Sequence, residues 1–239
     1  MNSNGKQYNG ERACICLTSW VNRITTVGIT LYNLLKVCPH YHIVLTLSED
    51  EFPNKLESLP NDLRYFATHN LIEILWCKKN WRSFKKILFA MHKYPDIPII
   101  SADDDCLYKF DYASELLHLL PQNEPMCSTY WCSRYGHYPV YNTAGFATCY
   151  SPNYFGNVMN IFNDIHILPF NEDDMLYTAI RYVKNLKGCI CFHKEFNEIV
   201  ALHDETSPLH DLYNGRSTDV RDKQITELVK IVRDTFNLH

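Results

Sequence analysis

Long apolar runs are absent from this sequence. No stretch approaches the roughly 18 apolar residues that a membrane-spanning helix needs. The first residues, 1–6, are polar and do not form a secretory leader. No Asn-x-Ser/Thr acceptor for N-glycosylation occurs either. From these absences we expect a cytoplasmic protein without a transmembrane segment, whose contact with a membrane would be peripheral at most.

A strong positive charge is also lacking. The chain has 23 Lys and Arg residues against 27 Asp and Glu residues, a formal net charge of −4, so nucleic acid is not an expected partner. With 46% hydrophobic residues, the 239-residue chain has enough apolar surface for one sizeable core. No internal repeat or low-complexity linker divides it, and we therefore predict a single domain.

The ten cysteines are numerous for this length. Several of them, such as Cys14 and Cys16, lie within apolar runs, a placement typical of small buried side chains in a reducing compartment. On a strand, Cys189, Cys191 and His193 would share one face and could hold zinc. Structural zinc sites usually separate paired cysteines by two to four residues, however. Here a single residue separates Cys189 from Cys191, and this spacing argues against zinc.

Hydrophobic periodicity predicts the order of secondary-structure elements. Short apolar runs typical of buried strands occur at 13–17, 42–47, 71–76 and 97–101, and apolar residues recur at helical spacing elsewhere. Such alternation is expected of the α/β class, with a mostly parallel sheet covered by helices. The helices are predicted near 27–35, 84–91, 112–120, 176–183 and 225–232, with strands and loops in 126–150.

The chain is organised around a short apolar run, 97–102, that ends in the consecutive carboxylates Asp103, Asp104 and Asp105. At the carboxyl end of a buried strand these acids would lie at the sheet edge where α/β proteins bind ligands. Strand alternation would place Asp103 and Asp105 on one side, where they could share a hard divalent cation such as Mg²⁺ or Mn²⁺. The alternative is a solvated acidic turn, or a helix that begins at Asp111.

The loop 18–23 follows the first predicted strand and should lie at the same edge. Thr18 and Ser19 offer hydroxyl groups, and Arg23 offers a guanidinium suited to bidentate binding of an oxyanion. These groups could hold the base, ribose or phosphate of a nucleotide. Equally, Arg23 could be a surface residue of a strand–helix loop.

Lys85 and Lys86 stand at the start of the helix that precedes the acidic strand. A helix N-terminus with cations can bind an anion. The apolar stripe of this helix leaves both lysines off its core face, however, and that geometry favours solvated side chains.

A second acidic segment, 171–174, precedes another predicted helix. Asn171 can cap the helix, and Asp173 and Asp174 suit the positive end of its dipole. A partly desolvated carboxylate beside a metal site is also what a general base requires. The spacing alone leaves these two interpretations open.

Aromatic and histidine residues supply the remaining candidates. The segment 130–138 has more rings than a turn requires, and such rings can bind the faces of sugars or pack in the core. His203 and His210 come late in the chain, where one of them could complete the coordination of a cation or lie at the surface.

Taken in order, these motifs resemble the glycosyltransferases of the GT-A fold, particularly bacterial polysaccharide and lipopolysaccharide transferases. The resemblance covers roughly residues 12–186. The motifs that carry it are Thr18-Ser19-Trp20-Val21-Asn22-Arg23, the run from Ile43 to Pro53, Ser83-Phe84-Lys85-Lys86, and the Asp-x-Asp motif Asp103-Asp104-Asp105.

The resemblance implies one GT-A domain over 12–239, with a nucleotide-sugar half at 12–110 and an acceptor half at 111–239. It also implies that Asp103 and Asp105, with His203, bind Mn²⁺ or Mg²⁺. The donor would contact Thr18, Ser19, Arg23, Lys85, Lys86, Asp103 and Asp104. Glu172-Asp173 resembles the Glu-Asp pair of inverting members, in which the Asp is the catalytic base, and Asp174 is the adjacent candidate.

The expected function is therefore metal-dependent transfer of a sugar from a nucleotide-diphosphate sugar to a hydroxyl of a glycan or glycolipid, with inversion. Two alternatives come from other classes. A haloacid-dehalogenase-like phosphatase also has Asp-x-Asp after a strand, but there the strand normally comes first, whereas about a hundred residues precede it here. A non-catalytic sugar or nucleotide binder would keep the same fold.

Overall fold

The fold is an open α/β sheet with helices on both faces. It is seen in a computed structural model that describes residues 13–121, 124–130, 132–135, 137–141, 147–156, 173–191, 199–202 and 218–236. In chain order the strands are β1 (Cys14–Thr18), β2 (His42–Ser48), β3 (Glu73–Cys77), β4 (Ile99–Ser101), β5 (Cys106–Tyr108), β6 (Met126–Thr129), β7 (Cys132–Tyr135), β8 (Tyr138–Tyr141), β9 (Thr148–Tyr150), β10 (Lys187–Ile190) and β11 (Ile199–Ala201).

Seven of these strands form the central sheet, in the order β10-β6-β9-β4-β1-β2-β3. All neighbours pair in parallel except at β9, which is antiparallel to β4 and β6. Two small antiparallel sheets, β5 with β11 and β7 with β8, accompany it. The predicted mostly parallel α/β architecture is confirmed.

Helices cover both faces because the strands at the centre are apolar on both sides. Cys14 and Cys16 of β1 face one core cluster and Ile15 and Leu17 face the other, and all four side chains are buried. The helices of the described residues are α1 (Val27–Val37), α2 (Asn61–Thr68), α3 (Lys85–Lys93), α4 (Tyr112–His118), α5 (Asp173–Val183) and α6 (Thr218–Phe236).

The predicted boundaries differ from the structure at a few elements. The third strand begins at Glu73 rather than at residue 71, because the amides of Leu71 and Ile72 donate to the Phe66 carbonyl at the end of α2. Asp111 does cap a helix, since its side chain accepts the Ser114 amide at the start of α4. That cap exists in addition to the acidic turn before it.

A polar cluster lies at the amino-terminal ends of β2 and β3, away from the three acids. His42 Nε2 lies 2.6 Å from Glu73 Oε2, and Lys93 and the Tyr94 hydroxyl also contact this carboxylate. Burial alone would raise the pKa of Glu73, but the hydrogen bonds with His42, Lys93 and Tyr94 lower it to about 2. Glu73 therefore links β2, β3 and the end of α3 by charge.

We expect Glu73→Gln to lower the free energy of unfolding at pH 7 by about 1–2 kcal/mol, after allowing for solvent screening of a partly exposed group. Because the pKa is depressed in the folded state, this contribution exists above pH 4.5 and is lost as the pH falls toward 2. Urea unfolding of both proteins at pH 7, 5 and 3 measures it. A difference that stays constant across this range would contradict the charge account.

Candidate active site

The three acids lie at the carboxyl-terminal edge of the central sheet. Cys16 of β1 pairs in register with Ser101 of β4, and the Ala102 amide donates to the Cys16 carbonyl at 2.9 Å. The strand ends at Ser101, so Asp103, Asp104 and Asp105 stand in the turn that leads to β5 rather than on a strand. Their predicted position after a buried strand, at the carboxyl-terminal edge of the sheet, is confirmed.

Asp104 is buried and is hydrogen-bonded to the loop 18–23. The Ser19 hydroxyl donates to its Oδ2 at 2.7 Å, and Arg23 Nη1 donates to its Oδ1 at 2.9 Å. Burial raises the pKa of this carboxyl, while Arg23 and Ser19 act in the opposite direction. Thr30 of α1 also donates to the Asp104 carbonyl at 3.0 Å. Asp104 thus anchors the acidic turn to the first loop.

Arg23 connects two of the acids. Besides Asp104, its Nη1 lies 2.9 Å from Asp105 Oδ2, and the residue is only 9% exposed. Burial alone would lower the pKa of the guanidinium, but Asp104 and Asp105 raise it. The surface interpretation of Arg23 is therefore wrong. The Thr18 hydroxyl, in contrast, donates to the Thr46 carbonyl at 2.7 Å and joins β1 to β2.

Lys86 binds the other acid of the turn. Its Nζ lies 2.6 Å from Asp103 Oδ1 and 3.6 Å from Asp173 Oδ2. Lys86 is 5% exposed. Burial alone would lower the pKa of the ammonium, but Asp103 and Asp173 raise it above its ordinary value. The prediction of a solvated Lys86 is wrong, because this ammonium is paired with carboxylates from two distant parts of the chain.

Lys85 is buried as well, so the solvated interpretation fails for it too. Its Nζ donates to Asn80 Oδ1 at 3.1 Å and to the Arg82 carbonyl at 3.2 Å, and it lies 3.8 Å from Glu51 Oε2. Burial lowers the pKa of Lys85, and Glu51 acts against this shift. Lys85 thus points toward the carboxyl-terminal ends of β2 and β3, while Lys86 points toward the acidic turn.

Asp173 is the first residue of α5 and is buried beside Lys86. Lys86 therefore brings the second acidic segment to the first. Asp174, also in the first turn of α5, is half-buried. Both acids suit the positive end of the helix dipole. Asn171 and Glu172, which the sequence also suggested, lie outside the described residues.

Cys106 is a candidate site residue that the sequence did not suggest. Asp103, Asp105 and Cys106 each place one potential ligand atom within 4.8 Å of the other two. Among the residues that the structure describes, this is the one group of three or more His, Cys, Asp or Glu side chains close enough to share a metal ion. Burial, together with the Asp103 charge, raises the pKa of Asp105 to about 6. A bound cation would relieve this repulsion. Two carboxylates and a thiol are also a donor set that suits a divalent metal.

His203 lies outside the described residues, but the chain just before it reaches this site. Strand β11 pairs with β5, with Ala201 opposite Cys106, and the Leu202 amide donates to the Asp105 carbonyl at 2.6 Å. His210 and His193 also lie outside the described residues. Cys189 and Cys191 are half-buried.

Two rings of the aromatic segment 130–138 can be placed in the structure. Tyr130 and Tyr138 are buried, and the Tyr130 hydroxyl donates to Glu115 Oε2 at 2.9 Å. These two rings therefore belong to the protein interior, as the packing alternative has it. Trp131 lies outside the described residues.

Comparisons with known proteins show similarity of fold only. No family model matches the chain, and no curated protein matches it. Among solved structures the chain is similar to the apo form of the glycosyltransferase GlyE from Streptococcus pneumoniae TIGR4, with a TM-score of 0.47, 14% identity and coverage of 96% of this chain and 64% of that one. The chain thus spans less than two thirds of the GlyE structure.

Two further solved structures are similar. The bifunctional glycosyltransferase WbbM has a TM-score of 0.41 at 10% identity, over 71% of this chain and 37% of that one. The galactosyltransferase LgtC, solved with donor and acceptor sugar analogs, has a TM-score of 0.45 at 9% identity, over 91% and 95%. Because these TM-scores are below 0.5, we take function from the site residues instead.

Proposed function

We propose that this protein is a metal-dependent glycosyltransferase of the GT-A fold. It would transfer a sugar from a nucleotide-diphosphate sugar to a hydroxyl of a glycan or glycolipid acceptor. The observation that carries the proposal is the convergence of Asp103, Asp105 and Cys106 at the carboxyl-terminal edge of the sheet, with Asp173 joined to them through Lys86. Metal ligands and a separate carboxylate are the groups that this reaction needs.

Asp103 and Asp105 would hold Mn²⁺ or Mg²⁺, with His203 as a further ligand. Support for His203 comes from Leu202, whose amide binds the Asp105 carbonyl directly before it in the chain. When bound, the cation would neutralise the negative charge that develops on the leaving diphosphate. Arg23 fixes Asp105 through one oxygen, Oδ2, at 2.9 Å.

The loop from Thr18 to Arg23 would form one wall of the donor site. Ser19 and Arg23 bind Asp104, which holds the loop against the acidic turn. Lys85, near the ends of β2 and β3, would face the nucleotide from the other side, and Lys86 would fix Asp103. The nucleotide half would then comprise 12–110, and the acceptor half 111–239.

Asp173 would act as the general base. Breakage of the sugar–diphosphate bond builds positive charge at the anomeric carbon, as in glycoside hydrolysis. An acceptor hydroxyl is too weakly acidic to attack without losing its proton, so a carboxylate must accept that proton as the bond forms. The Lys86 ammonium lies 2.6 Å from Asp103 and 3.6 Å from Asp173, so the proposed base stands beside the acidic turn. Such direct displacement would invert the anomeric configuration.

A panel of sugar nucleotides tests this proposal. The purified protein is incubated with Mn²⁺, each donor and a mixture of glycan and glycolipid acceptors, and released nucleoside diphosphate is measured. Release that depends on both donor and metal supports a glycosyltransferase. Phosphate release from phosphomonoesters without any sugar nucleotide would favour the phosphatase alternative, and donor binding without turnover would favour a non-catalytic binder.

A further inference from the structure

Cys106 faces the acidic turn from the first position of β5. Its Sγ lies 3.9 Å from Asp105 Oδ1, and the residue is only 3% exposed. Ala201 of β11 lies opposite Cys106 in the small sheet. The thiol is therefore shielded from bulk solvent. Its sulfur lies within 4.8 Å of one carboxylate oxygen of Asp103 and one of Asp105.

We propose that Cys106 is a protein ligand of the divalent cation and sets the metal preference of the site. The inference rests on the proposed function, because it concerns the cation that Asp103 and Asp105 would hold. Coordination forms a sulfur–metal bond and releases the thiol proton to solvent, without any change of oxidation state. The step needs no partner beyond the cation and water.

A sulfur ligand has a definite consequence for selectivity. Mg²⁺ prefers oxygen ligands in near-ideal octahedral geometry and gives up its water reluctantly. Thiolate ligands favour softer ions, and affinities for divalent ions rise from Mn²⁺ to Co²⁺. A site with two carboxylates and one thiolate should therefore bind Mn²⁺ and Co²⁺ in preference to Mg²⁺. Replacing the sulfur by oxygen should reduce the difference in affinity between these two ions and Mg²⁺.

The first readout is spectroscopic and does not require turnover. Co²⁺ is titrated into the wild-type protein with a nucleoside diphosphate present, and a sulfur-to-cobalt charge-transfer band in the near ultraviolet is recorded. We expect the band in the wild type and in Cys189→Ser, a control for the other thiols, but not in Cys106→Ser. If Cys106→Ser kept the band, the cation would not be bound by this sulfur.

The second readout is affinity. Isothermal titration with Mn²⁺, Co²⁺ and Mg²⁺ should show that Cys106→Ser loses at least about tenfold in affinity for Co²⁺ and far less for Mg²⁺. Equal losses for all three metals would overturn a role in selectivity. The wild-type spectrum decides the matter even if the variant folds poorly, since Co²⁺ binding without a sulfur band excludes the ligand directly.

Failure of the inference and failure of the proposed function give different results. Wild-type protein that binds Mn²⁺ and nucleoside diphosphate, but binds Co²⁺ without a sulfur band, would overturn the role of Cys106 and leave the transferase proposal standing. Wild-type protein that binds none of the three cations in the presence of a nucleoside diphosphate would overturn both.

Discussion

Asp173→Asn should reduce sugar transfer by roughly 10²–10⁴-fold, the usual range for loss of a positioned proton acceptor. The structure gives two reasons to expect this at Asp173. The residue is buried at the start of α5, and its Oδ2 lies 3.6 Å from the same Lys86 ammonium that binds Asp103. Initial rates of transfer at saturating donor, acceptor and Mn²⁺ measure the effect.

The stability of this variant should change little. Lys86 keeps Asp103 as its nearer partner, so the change should cost about 0.3–1 kcal/mol, the range for one acid at a helix N-terminus. Donor affinity should also stay near the wild-type value. A role in capping alone would instead give this small loss of stability with nearly normal turnover.

Asp174→Asn is the matched control. Asp174 belongs to the same first turn of α5 but is aimed about 100° away around the helix axis, and it is more exposed than Asp173. We expect nearly full activity from it. If the losses are exchanged between the two variants, Asp174 is the base. If both variants remain fully active, the inverting-base hypothesis must be abandoned.

Asp105→Asn should abolish metal-dependent donor binding, the second large effect. An amide oxygen carries no formal charge, so the pair of carboxylates that would bind the cation is reduced to Asp103 alone. The fold should survive because Arg23 keeps its contacts with Asp104. Isothermal titration with nucleotide sugars in Mn²⁺ measures the loss, and Asp96→Asn, an exposed acid in the loop before β4, controls for a change of net charge.

The same substitution should stabilise the metal-free protein. The pKa of Asp105 is raised to about 6, so its ionised form is disfavoured in the fold, and above pH 6 the charge costs stability. Removing it at pH 7.5 should therefore raise the free energy of unfolding by about 1–2 kcal/mol. A functional carboxylate is expected to show such opposite effects on binding and stability. A variant that is less stable and binds donor normally would refute the metal assignment.

The position of the site followed from local sequence. A short run of β-branched apolar residues that ends in three acids is typical of a buried strand that reaches solvent at its end, and the loop from Thr18 to Arg23 follows its strand at the same edge. Both expectations needed no information about distant contacts. The contact between Arg23 and Asp104 could be anticipated because parallel strands end together.

The partners of the lysines could not be predicted in this way. An apolar stripe identifies the face of a helix that packs on the core, but it cannot show that Lys86 meets two carboxylates, one of them on α5. A paired ammonium can be buried where an unpaired one cannot, and pairing is a tertiary property. Aromatic side chains such as Tyr130 pose the same difficulty, because the residue type alone does not show whether a ring is buried or exposed.

Cys106 was missed because of an assumption about backbone geometry. Strand alternation would group Cys106 with Asp104 and separate both from Asp103 and Asp105. The chain leaves β4 at Ser101 and turns through the acids, so alternation does not apply there. The turn brings Asp103 and Asp105 together, which strand alternation had also predicted, and it places Cys106 beside them.

The most direct test of the central claim, that the acidic turn binds a diphosphate through a divalent cation, is the affinity of the wild-type protein for nucleoside diphosphates with and without metal. Titration calorimetry with UDP, GDP and ADP is carried out in Mn²⁺ and again in EDTA. We expect at least one of these nucleotides to bind in Mn²⁺ and to lose that binding in EDTA. Equal affinity in both conditions, or none in either, would contradict the account.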